Sequence, residues 1–415
     1  TPPTTLAQAT TTTLPPLEET PIAVPDGTVF AGSTMFRGDA GRSGVVADTA
    51  GVASAEGYFW RYGTADQIAA SPVTFGKWAF IASQDGSVHA VDMSTGSQLW
   101  TFGSPSAIVA TPAIGEIAGS DRGEAPPIAI IAYGDSDGVV TFREAVQTPF
   151  NVVHTEFVGN GFAIRATPLI VDNRVIVAAA GPGVGKVVGI SPVARTLDWT
   201  FPRSPEDCAT LGDVPECEPI GPVLGSPAAE GNTVYFGTSG SNGRLYALDA
   251  TTGDLICRSS GIGSVEANPV VVDGVVYTLT TSGQLYVFSV PTCDTPAPNR
   301  NALYYDVTGA ATAPAITGDT MVIPVGGRVL FIDLVTDAIL HDFDAGAAVR
   351  SAPTIVGGIV YFGNEAGKVF AVDMESGEEL WSWQTGGAVR SSVTALDGLV
   401  LVTSTDTRLY AIGGS

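Results

Sequence analysis

From about residue 60 onward, short apolar runs alternate with polar, glycine-bearing turns. TVYFGTSGSNGRLYALDA (233–250) and IVYFGNEAGKVFAVDM (359–374) each carry two runs of alternating character around a turn rich in Gly and Asn. A period of two belongs to a half-buried strand, and two such runs around a short turn make a hairpin. No stretch sustains the period of 3.6 that a packed helix requires. The pattern predicts many short strands and no substantial helix.

The strand pattern is itself repeated. AVDMSTGSQLW (90–100) returns as ALDATTGDLIC (247–257) and AVDMESGEELW (371–381). Each copy follows an anchor at Pro72, Pro112, Pro168, Pro227, Pro269, Pro314, Pro353 or, in the eighth position, Val393. The spacings are 40, 56, 59, 42, 45, 39 and 40, close to the length of one four-stranded propeller blade. The two long spacings hold insertions at 115–127 and 202–222. The eighth copy, from SVTALDGLVLV to the end, supplies about three strands, and VASAEGYFWRYGT (52–64) resembles the missing outer one. The expectation is an all-β, eight-bladed propeller whose ring closes by pairing N- and C-terminal strands, which removes open edges. In each turn Asp92, Asp249 or Asp373 caps its own backbone, and Gly96, Gly253 or Gly377 takes positive φ. Trp100, Trp381 and Trp199 are expected to pack between blades. These are scaffold residues.

Residues 1–27 break the pattern: they are Thr- and Pro-rich and read as an extended arm or stalk, open to O-glycosylation, ahead of a propeller at 28–415. An arm that docks on the next copy would give head-to-tail assembly, which deletion of 1–27 would abolish. Thr1 in place of Met reads as a processed or trimmed start, so membrane contact is expected only through an anchor preceding it. The chain has no apolar run long enough to span a bilayer.

A net charge of −23 over 415 residues argues against nucleic acid and acidic membrane surfaces as partners. The four cysteines, Cys208, Cys217, Cys257 and Cys293, show no C-x-x-C spacing and suggest two disulfides in an oxidising compartment, extracellular, cell-surface or periplasmic. Of three connectivities, Cys208–Cys217 with Cys257–Cys293 is favoured, because the first closes a short loop; four buried thiols are the alternative. His89, His154 and His341 are scattered, so no metal or other cofactor is expected. Asp135 and Asp137 in YGDSDGVV read as turn residues before calcium ligands.

The repeat also aligns the crossings between blades. Three residues before each anchor stand Ala69, Val109, Arg165, Leu224, Glu266, Ala311, Arg350 and Arg390. Such crossings rim the central channel, so three arginines should converge near the axis, with Glu266 pairing one of them. Either they satisfy main-chain carbonyls or stack on inter-blade aromatics, or the channel mouth binds an anionic small ligand or glycan through guanidinium forks.

The A-x-D-x-x-[TS]-G-x-x-x-W unit, with MFRGDAGRSGV (35–45) before the first blade, resembles the PQQ-like repeat superfamily of eight-bladed propellers, over roughly residues 35–415. The resemblance implies one of three roles: a quinone-dependent oxidoreductase, a barrel-assembly lipoprotein-like scaffold, or an extracellular ligand-sensing domain of a larger receptor or kinase. The dehydrogenases carry an adjacent Cys–Cys pair that this chain lacks. The expected function is therefore a non-enzymatic scaffold binding other proteins or further copies of itself.

Overall fold

In the computed structural model the described residues are 36–47, 49–118, 126–145, 152–211, 214–289, 292–293, 312–396 and 398–414. The Thr/Pro-rich arm and the boundary at 28 lie outside them. Eight sheets stand side by side, and neighbouring innermost strands touch around a central channel. Blade one runs Val73–Phe75, Trp78–Ala82, Ser87–Asp92 and Gln98–Gly103 in antiparallel order. Blades two (113–157), three (169–201), four (228–258), six (315–344) and seven (354–384) repeat that plan, and blade five (270–289) has three described strands.

Blade eight combines Thr394–Leu396, Leu399–Ser404 and Arg408–Gly413 with Gly57–Gly63, which pairs antiparallel to the last strand. The chain's two ends therefore share one sheet, as expected from the sequence around Trp60. Burial explains why the middle strands read as almost continuous apolar runs: both sheet faces press on neighbouring blades. Each of the eight seams has its own cluster, such as Phe80, Val88, Ile114 and Ile131 between blades one and two. The seam between eight and one holds Phe59, Trp60, Ile81 and Leu401.

The repeated turn locks adjacent blades. Asp92 Oδ1 accepts the N–H of Ser94 (2.9 Å) and of Thr95 (3.1 Å), and Asp249 does the same for Thr251 and Thr252. Gly96 lies at φ +69°, and a Cβ there would sit 2.7 Å from the Trp60 ring. Trp60 Nε1 donates to Met93 O (2.8 Å), and Trp199 Nε1 to Ala250 O (2.9 Å) of the next blade. In blade six His341 takes the tryptophan's place and bonds Glu375 O. Trp381, whose following blade has no such turn, donates instead to Val52 O (2.7 Å). Trp100 stacks edge-on against Trp78 of its own blade, ring centroids 5.3 Å apart.

Both expected disulfides form: Cys208–Cys217 inside the insertion and Cys257–Cys293 at the seam of blades four and five. Against the all-strand expectation, that insertion contains a short helix, Pro205–Leu211. Its start is held by Ser204, whose hydroxyl accepts Asp207 N–H and donates to the Asp207 carboxylate.

Candidate functional site: the channel mouth

The channel floor is made by the chain's own N-terminal segment. Between residues 40 and 44 four carbonyls accept N–H groups from four successive inner strands: Ala40 from Ala229 (2.7 Å), Gly41 from Val271 (2.8 Å), Ser43 from Ile316 (2.8 Å) and Gly44 from Ile355 (2.7 Å). Val45–Val46 then pairs parallel to Ile355–Val356. The glycines permit this closeness; a Cβ on Gly41 would stand 2.3 Å from Val271 O.

Two arginines fasten the plug from inside. Arg42, 1% exposed, donates from Nη1 to Phe36 O (2.8 Å), from Nε to Pro227 O (3.1 Å) and from Nη2 to Pro168 O (3.1 Å). Arg37, 3% exposed, donates to Ala313 O, Pro314 O and Arg42 O. Burial pulls both guanidinium pKa values down, and the nearby Asp39 carboxylate opposes that shift. The carbonyl-satisfying role expected of channel arginines thus falls to this pair.

Above Phe36 opens a mouth of about 200 Å³. It is lined by Arg165, Glu266, Arg350 and Arg390, together with the crossing residues Ala69, Val109 and Leu224. Ala311 lies outside the described residues. The repeat alignment brings these positions to one rim because each crossing leaves an outer strand and returns to the axis at the same height.

The ion pairing differs from the expectation. Arg390 forms a two-pronged bond to Glu365, with Nε and Nη2 each 2.9 Å from a carboxylate oxygen. Arg350 Nε lies 3.1 Å from the same carboxylate. Hydrogen bonding from Arg390 holds the Glu365 carboxyl below its ordinary range, and the reciprocal bond raises Arg390. Glu266 accepts instead from the Ser264 hydroxyl (3.2 Å) and pairs with neither arginine. Glu365 sits in the hairpin turn of blade seven, on the same face as the crossings, which is why an alignment of crossings alone passes over it. Among the described residues Arg165 is exposed and makes no ion pair or hydrogen bond.

Beneath the arginines runs a second, partial circle of polar side chains, one residue before six of the eight anchors; Ala313 and Ala352 stand before the other two. Ser392 N–H donates to Ser71 Oγ (2.9 Å), Ser71 N–H to Thr111 Oγ1 (2.9 Å), Thr167 N–H to Ser226 Oγ (2.9 Å) and Ser226 N–H to Asn268 Oδ1 (2.6 Å). These oxygens accept main-chain N–H groups, and the side chains of Ser71, Thr111, Thr167, Ser226 and Asn268, which also carry donor protons, line the mouth. Thr312 Oγ1, also in the lining, is buried with no partner among the described residues. The site thus offers guanidinium, hydroxyl and amide donors against two carboxylates, the composition of an anion-accepting cleft. Among the described residues no three His, Cys, Asp or Glu side chains are grouped to hold a metal.

A family model described as outer membrane protein assembly factor BamB matches residues 44–118, 127–339 and 325–414. The chain belongs to that family. BamB from Moraxella catarrhalis is similar in structure, with TM-score 0.62 and 18% identity over 86% of this chain and 99% of that one. A europium-containing methanol dehydrogenase gives TM-score 0.72 with 12% identity over 92% and 98%. The quinohemoprotein alcohol dehydrogenase from Comamonas testosteroni gives 0.71 with 14% identity over 92% and 80%. At these identities the structural likeness establishes the PQQ-like propeller fold and nothing finer. No curated protein matches by sequence. No helix among the described residues is long and apolar enough to cross a membrane.

Proposed function

We propose that this BamB-family propeller is a non-enzymatic scaffold outside the cytoplasm, extracellular, on the cell surface or periplasmic, that binds other proteins with the face bearing the channel mouth. An acidic group of the partner, a carboxylate, enters the mouth. The observation that carries this reading is the donor set there: Arg350 and Arg390 sharing the one carboxylate of Glu365, with Arg165 unpaired among the described residues, over a set of hydroxyls. In a chain of net charge −23 such a cationic rim stands out from its surroundings. The family's description as an assembly factor supports protein partners, and the two disulfides support an oxidising compartment.

Calorimetric titration with hexaglutamate and with citrate tests it. The wild-type chain is expected to bind, and Arg350→Ala/Arg390→Ala to weaken binding at least ~10-fold, the loss of roughly one charge-assisted fork. Unchanged affinity in the double variant contradicts the proposal.

An oxidoreductase built on pyrroloquinoline quinone is the competing reading, and the dehydrogenase likeness in fold is what favours it. The quinone's carboxylates would meet the same arginines. Its flat ring would not be clasped, because Phe36 is the single aromatic in the described lining and the chain has no adjacent cysteines. The residues present do not fit a stacked quinone. Reconstitution with the quinone and calcium, followed by dye reduction with alcohol or sugar substrates, separates the readings.

A further inference from the structure

A second cavity opens on the same face, away from the axis, where blade two meets blade three. It measures about 420 Å³ and is walled by Phe157, Phe162, Ser136, Asp137 and Asn160. Both walls are held by main-chain bonds. The hairpin turn of blade two is organised by buried Asp135, whose carboxylate accepts N–H from Asp137 (3.0 Å) and Val139 (2.9 Å) and the Ser104 hydroxyl (2.6 Å). That leaves the neighbouring Asp137 carboxylate exposed. The loop opposite is tied by Val158 N–H to Gly138 O (2.9 Å) and by a two-way bridge between Ala163 and Ala180. It turns through Gly159 (φ +135°) and Gly161 (φ +78°).

Phe157 ends the outer strand of blade two, is 48% exposed and borders the cavity. Phe162 offers a second ring. Among the described residues the Asp137 carboxylate and the Asn160 carboxamide make no hydrogen bond, although both border the cavity. Aromatic rings beside a carboxylate and an amide suit two occupants: a cation, or a sugar whose C–H face lies on the ring while its hydroxyls bond the polar groups. The structure chooses between them. Lys186 Nζ already stands 4.8 Å from the Phe162 ring centroid and donates to Val158 O (2.9 Å). A second cation would be repelled, and a chain of net charge −23 with Asp137 in the wall disfavours an anion.

We propose that this cavity is a binding site for an uncharged sugar unit of a glycan, stacked on Phe157 and hydrogen-bonded by Asp137 and Asn160. It is separate from the channel mouth and does not depend on the carboxylate reading.

Saturation-transfer NMR with neutral oligosaccharides (cellobiose, maltotriose, lactose and chitotriose), backed by calorimetry on any that bind, tests the site. At least one is expected to bind. Phe157→Ala should weaken it ~10-fold or more, as expected for loss of a stacking ring. Asp137→Ala and Asn160→Ala should weaken it several-fold, while Arg350→Ala/Arg390→Ala leaves it unchanged. Phe157 is largely exposed, so the melting temperature of Phe157→Ala should match wild type, and a matched melt confirms that lost binding is local. Absence of transfer to every sugar, binding that survives Phe157→Ala, or binding that needs the channel arginines would each overturn the proposal. Preferential binding of an Arg- or Lys-containing peptide would do the same.

Discussion

Among the described residues five arginines lie along one channel, and they fall into two sets with opposite fates. Arg37 and Arg42 in the plug are 3% and 1% exposed, and every donor assigned to them ends on a main-chain carbonyl. Arg350 and Arg390 at the mouth are 60% and 55% exposed on their side chains and share Glu365, while Arg165 meets no partner among the described residues. Depth decides the role. A guanidinium buried among carbonyls that no water reaches acts as a fastener, because those carbonyls would otherwise be unpaired. The same group at a wet rim contributes little to stability and remains available to a ligand.

The comparison can be broken most sharply from the plug side. Arg42→Ala leaves the carbonyls of Phe36, Pro168 and Pro227 without their donor. The expected loss is about 3–4 kcal/mol, read from guanidinium chloride unfolding. A loss below about 1 kcal/mol would mean that water replaces the side chain and the plug is not fastened. Gly96→Ala probes the seam lock by the same measurement. Positive φ and the approach to Trp60 at 2.7 Å together predict about 2–3 kcal/mol. At the mouth, Arg350→Ala/Arg390→Ala should shift stability by less than about 1 kcal/mol, because the triad with Glu365 is solvent-facing.

The smallest effect is one of pH. Glu365 has its carboxyl lowered from 4.5, chiefly by hydrogen bonding to Arg390. Since the folded value is depressed, the pair's contribution to stability is present above the unfolded carboxylate pKa and is lost as pH falls through the lowered value. Protonation also releases both guanidinium groups. Sulfate, which stays ionised, should therefore bind more tightly once pH falls through that lowered value, and Glu365→Gln should show the tighter binding at neutral pH.

The repeat carried most of the fold. Eight anchors, the closing strand around Trp60, the turn roles of Asp92 and Gly96 and both cysteine pairs were legible because each is a local pattern or a spacing. The site was legible in part. Alignment of the crossings put Arg165, Glu266, Arg350 and Arg390 on one rim, because equivalent positions in a ring share a radius and a height. It could not supply Glu365, which belongs to a hairpin turn that varies between blades. Nor could it show that MFRGDAGRSGV enters the channel, because the carbonyls it meets, at Pro168, Pro227 and Pro314, are more than a hundred residues away and carry no side-chain signature. Ser71, Thr111, Thr167 and Ser226 stood in the sequence directly before the anchor prolines, but small hydroxyl residues are common there and only the fold shows that they hydrogen-bond between neighbouring blades and line the mouth.

The most direct test sets one arginine of each kind side by side: citrate affinity by calorimetry and unfolding free energy for Arg165→Ala and Arg42→Lys. The account predicts that Arg165→Ala weakens citrate binding several-fold with unfolding within about 0.5 kcal/mol of wild type. It predicts that Arg42→Lys, which keeps the charge but not the fork, destabilises the chain while any folded fraction binds citrate as wild type does. Equal citrate affinity for Arg165→Ala and wild type would contradict the division of the channel into a fastened floor and a ligand-accepting mouth.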